Sequence, residues 1–220
     1  MIRKILIAAA LIGMSASAYA VPKLQVGNGA AGDWAWDTAT ETWITTGDGS
    51  LLLTALESAF YQDSTLAFLV VSAVPSSELD PFNFSITGTE GMVDSGYGEP
   101  EFSSNNDLGD HGIFGTYFEV YQLNFAGLSL GTVCNVQPGS EGDCTSGYSL
   151  DLGFTVGSIA EGVDGLHFDL YTTNDGAYGD GLYRFAPFSH DAGYRVPEPA
   201  TLALFGLGLI GFGLGRRRKS

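Results

Sequence analysis

From Tyr148 to Val156 every second residue is apolar: Tyr148, Leu150, Leu152, Phe154 and Val156 alternate with Ser149, Asp151, Gly153 and Thr155. Side chains on a strand point to opposite faces with period two, so this run specifies a strand with one buried face. The stretch from Tyr117 to Phe125 alternates in the same way, and Leu166 to Thr172 is a third such run. Leu66 to Val71 is a short apolar run rich in β-formers, and Phe82 to Thr87 reads as a further strand. Trp43 to Thr46, a Gly47-Asp48-Gly49-Ser50 turn and Leu51 to Thr54 suggest a hairpin, although Leu51 to Phe60 reads equally as one amphipathic helix. Glycine-rich punctuation between these runs favours antiparallel pairing. The expected fold class is all-β, an antiparallel β-sandwich or jelly roll.

The two ends of the chain obey different rules. Arg3 and Lys4, the apolar stretch Ile5 to Met14 and Ala18-Tyr19-Ala20 have the order of a secretory signal peptide with its A-x-A cleavage site at Ala18 and Ala20. Residues 1–20 are therefore expected to be removed, leaving Val21 first. At the other end stand Val196, Pro197, Glu198 and Pro199, an uncharged run from Ala200 to Gly215, and the cations Arg216, Arg217, Arg218 and Lys219. Both prolines lack an amide donor and hold the residue before them extended, so a helix is expected to begin only after them. A helix over 200–215 spans roughly 24 Å against a hydrocarbon core of about 30 Å. That length suffices for a transmembrane helix when the bilayer thins and the arginines snorkel. The basic cluster should remain cytoplasmic, which places the preceding residues outside. Glycine spacings within the run mimic a dinucleotide fingerprint and a G-x-x-x-G. The first lacks a strand before it, and at this glycine density neither carries weight.

This tripartite tail resembles the PEP-CTERM sorting signal of exosortase-processed exported proteins of Gram-negative bacteria. The resemblance covers only residues 196–220. It implies export through the Sec translocon with signal peptidase, transient anchoring in the inner membrane, and cutting by an exosortase near Pro197-Glu198-Pro199. It further implies a final place at the cell surface or in an extracellular matrix, with exopolysaccharide as a partner.

Between the two sorting segments lies one exported domain, residues 21–195, with no internal repeat. It holds 24 acidic residues against Lys23, Arg184 and Arg195, a formal charge of −21. Such a surface repels phosphate backbones and excludes a nucleic-acid partner. It also keeps copies apart and attracts divalent cations. Cys134 and Cys144 are the two cysteines, and in an oxidising compartment they are expected to form a disulfide closing the loop between two strands.

No residue set points to catalysis, so no catalytic residues are assigned. Ser189-His190-Asp191 has the residue types of a hydrolase triad, but side chains of consecutive residues diverge and no G-x-S-x-G elbow is present. His111, His167 and His190 are scattered. Two glycine-flanked loops carry the oxygen donors that Ca²⁺ requires: Asn105, Asp107 and Asp110 in one, Asn174, Asp175 and Asp180 in the other. The same residues are ordinary turn formers, and neither loop has the closing glutamate of an EF-hand. No other cofactor is expected. Trp34 and Trp36 are spaced to share one face of a strand, where exposed rings would stack on sugars and buried ones would fill the core. The expected function is thus a non-catalytic surface or matrix protein. The alternatives are a carbohydrate-binding module stabilised by Ca²⁺ and a secreted hydrolase with unassigned carboxylates.

Overall fold

The computed structural model describes residues 24–28, 34–38, 42–46, 50–58, 66–100, 113–134, 144–173, 182–185, 191–196 and 210. These form thirteen strands: β1 (Leu24–Asn28), β2 (Ala35–Asp37), β3 (Thr42–Thr45), β4 (Ser50–Ser58), β5 (Leu66–Val74), β6 (Phe82–Thr87), β7 (Gly91–Gly98), β8 (Thr116–Asn124), β9 (Gly131–Cys134), β10 (Cys144–Ile159), β11 (Gly165–Thr173), β12 (Leu182–Phe185) and β13 (Asp191–Arg195). They build two sheets. One runs β1-β4-β10-β6, with β9 also on β10; the other runs β2-β3-β13-β11-β5-β8-β7, with β12 also on β11. Every pairing is antiparallel except β13 with β3. All-β is therefore correct.

The alternation that marked Tyr148–Val156 belongs to β10, the longest strand, which joins β4 along one edge and β6 and β9 along the other. Its Leu152 and Phe154 face a core shared with the second sheet, where they meet Leu69, Val71, Leu123, Leu166, Phe168 and Leu170. The Phe154 and Phe168 rings touch edge to face, with centroids 5.0 Å apart. Phe82 of β6 meets Tyr117 of β8 at 5.4 Å. Burying these rings supplies on the order of 1.5–3 kcal/mol each.

β5 explains why Leu66–Val71 showed no polar face. Ala67, Leu69, Val71 and Ala73 enter the shared core, while Phe68 and Val70 enter a second cluster with Phe118, Val120 and Tyr171 on the opposite side of the sheet. A central strand buried on both faces needs apolar residues at every position. Phe68 and Tyr171 stack there at 5.3 Å.

Two readings around residue 50 are corrected. Leu51–Phe60 is no helix, because 50–58 is strand β4, with Leu51, Leu53 and Ala55 buried. Three consecutive leucines satisfy a helical and a strand period alike, and packing against β10 decides between them. Nor do β3 and β4 pair as a hairpin, since they lie in different sheets. Consecutive β6 and β7 also change sheet, through a turn in which Gly88 adopts φ +90° and a Cβ would come within 2.6 Å of the Asp151 carbonyl oxygen. Only glycine fits that corner.

The expected disulfide is present. Cys134 and Cys144 are bonded and face each other as cross-strand partners on β9 and β10. Residues 1–20 and, apart from Ile210, the run 200–215 lie outside the described residues. Among the described residues no helix is long and apolar enough to cross a membrane.

Candidate functional site

Strand periodicity sorts the polar groups of the larger sheet. On β11, Leu166, Phe168 and Leu170 face the shared core, so His167, Asp169 and Tyr171 face the other way. His167 Nε2 lies 3.1 Å from Asp169 Oδ1, and both side chains are buried. Ser72 of β5 is the cross-strand partner of His167. Its hydroxyl is buried and makes no hydrogen bond. Serine, histidine and aspartate thus meet on one sheet face, with no hydrogen bond from the serine hydroxyl to the ring.

A cavity of about 480 Å³ opens beside this pair, at the end of the sheet where β13 finishes. Thr42, Ile44, Val74 and Ile113 form its walls together with His167, Asp164 and Arg195. Gly193 leaves the space open, since a Cβ there would sit 3.0 Å from Ile44 Cδ1. Arg195 Nη2 donates to Asp37 Oδ2 at 2.9 Å, tying the end of β13 to β2. The exposed setting of the guanidinium limits that pair to under about 1 kcal/mol. The Asp164 amide donates to the Val74 carbonyl and the Val196 amide to the Asp164 carbonyl, each at 2.7 Å. These groups can orient a polar ligand by hydrogen bonds.

A second polar cluster escaped the sequence reading. Glu119 sits on the core-facing side of β8 between Tyr117 and Tyr121, and the Tyr121 hydroxyl donates to its Oε2 at 2.5 Å. Burial raises the Glu119 carboxyl above the usual carboxylate range, the Tyr121 hydrogen bond counteracts this, and the charge of Asp80 adds to the rise. Burial, helped by the hydrogen bond to Glu119, also pushes the Tyr121 hydroxyl well above its ordinary value. The signal was available: the register Tyr117-x-Glu119-x-Tyr121 puts an acid on an otherwise aromatic strand face.

The other expected site residues are dispersed or undescribed. Trp34 packs against the shared core, and Trp36 sits edge-on to Trp43 of β3 with centroids 5.4 Å apart. Both rings are partly buried. Asn105, Asp107, Asp110, Asn174, Asp175 and Asp180 lie outside the described residues, as do His111, Ser189 and His190. Among the described residues no group of three His, Cys, Asp or Glu side chains is placed to hold a metal ion. Asp191 opens β13, and Val196 follows the strand's last residue, exposed. Pro197, Glu198, Pro199 and the cations 216–219 are undescribed.

In comparison with known families, residues 195–219 match the PEP-CTERM protein-sorting motif. No curated protein matches the chain significantly. The motif marks an exported protein targeted to an exosortase, with membrane-anchored transit before processing.

Proposed function

We propose that this chain delivers a non-catalytic, acidic β-domain to the cell surface or extracellular matrix, where it works as a structural or exopolysaccharide-associated component. The two sheets with their shared core are read as a sandwich. The tail serves as a temporary handle: the helix over 200–215 holds the domain at the membrane until an exosortase cuts near Pro197-Glu198-Pro199. Signal peptidase removes residues 1–20 first. The observation that carries this reading is the sorting motif at 195–219, which follows directly from the last strand. A charge of −21 on the exported part fits a soluble matrix component that resists non-specific association. The domain is assigned no cofactor. Replacing Pro197, Glu198 and Pro199 together by alanine tests the reading through cell fractionation. The variant is expected to stay in the inner membrane while the natural chain reaches the surface fraction; equal distribution of the two would refute it.

A further inference from the structure

The sorting motif and the folded sheet overlap. The motif begins at Arg195, and Arg195 is still a paired residue of β13, opposite Gly165 of β11. The next residue, Val196, donates its amide to the Asp164 carbonyl at 2.7 Å. β13 is no free edge, because β11 lies along one side and β3 along the other. Tyr194, one residue earlier, is buried in the shared core. Between the last hydrogen-bonded amide and Pro197 there is no spare chain, and one residue reaches at most about 3.5 Å.

A protease binds its substrate as an extended segment whose backbone groups pair with the enzyme. For any bond cut within 197–199, the residues on the amino side include Val196 and Arg195. The Val196 amide is already held by Asp164, and Arg195 is already a ladder partner of Gly165. From this overlap we propose that the folded domain guards its own processing site, so that tail removal is gated by opening of the carboxyl end of β13 away from β11 and β3. The proposal rests on the reading that the tail is cut at this motif. The covalent step itself is ordinary: one peptide bond breaks, its acyl carbon passes to water or to an acceptor amine, and the departing nitrogen takes a proton. What the fold adds is a preceding local opening that breaks the Val196–Asp164 contact, the Arg195–Gly165 rung and the Arg195–Asp37 ion pair.

The experiment inserts Gly-Ser-Gly-Ser-Gly-Ser between Val196 and Pro197 in the full chain and follows tail removal by pulse–chase in an exosortase-bearing host. The linker should speed removal on the order of tenfold, the factor expected when two or three weak contacts need not break first. The domain's melting temperature should not move. Gly165→Ala provides a second route, because a Cβ there would sit 2.0 Å from the Tyr194 carbonyl oxygen and must push β13 away. It too should accelerate removal; if it fails to fold, the linker variant decides alone. Equal or slower removal from the linker variant, with the natural chain processed, overturns the gate and leaves the sorting reading intact. Retention of the tail by both chains overturns both.

Discussion

Phe168→Ala should destabilise the exported domain by about 3–5 kcal/mol, the range for removing a fully buried aromatic ring. Phe168 has no exposed surface, stands opposite Val71 and Ala192 on its neighbouring strands, and touches Phe154 of the other sheet. The ring therefore stabilises each sheet and also the contact between them. Against a typical total of 5–15 kcal/mol, that loss brings the domain close to unfolding. Denaturant unfolding of residues 21–195 measures it. Tyr97→Ala, on the exposed face of strand β7, should stay within about 0.5 kcal/mol. A Phe168→Ala cost no larger than that of Tyr97→Ala would mean that the two sheets do not share this core.

Replacing Cys134 and Cys144 together by alanine should cost about 3 kcal/mol, the chain-entropy value for the loop they close. For a domain of this size that lowers the melting temperature by roughly 6–12 °C. The bond joins β9 to β10, the strand that β9 pairs with among the described residues. The double variant should therefore lose the β9 end first, seen as early amide exchange at Thr132 and Val133. Reduction of the natural protein should reproduce the same shift. A loss below about 1 kcal/mol would show that β9 stays docked without its covalent tie.

The sequence disclosed those elements whose burial leaves a period. β10 and β11 alternate because each has one face in the shared core and another that carries polar groups, and β6 matched its expected limits at Phe82 and Thr87. β8 shows a weaker period, since Phe118 and Val120 enter the second cluster and Glu119 lies on the core-facing side. β7 and β13 left no such trace. Gly91, Gly96 and Gly98 dilute β7, and its exposed Met92 and Val93 spoil any alternation across the bulge between Met92 and Asp94. β13 is Asp-Ala-Gly-Tyr-Arg, with no branched residue. It is a strand because β3 and β11 accept it and because Gly193 leaves room for Ile44. Which sheet a strand joins is a long-range matter, so local turn residues between β3 and β4 misled.

The candidate site divides in the same way. The sorting motif is a contiguous signal and was legible residue by residue. The His167–Asp169 pair, the cavity beside it and the Glu119 cluster are assembled across strands, so only the fold reveals them. That the motif grows from the sheet without a linker is also a fact of register, set by the Gly165–Arg195 pairing.

The central claim is that the tail is a temporary handle on a folded domain. Intact mass spectrometry of the protein extracted from the cell surface tests it most directly. The account predicts a chain that begins at Val21 and ends within Pro197–Pro199, lacking Ala200 to Ser220 and keeping the Cys134–Cys144 bond. Surface material of full mass through Ser220 would contradict it.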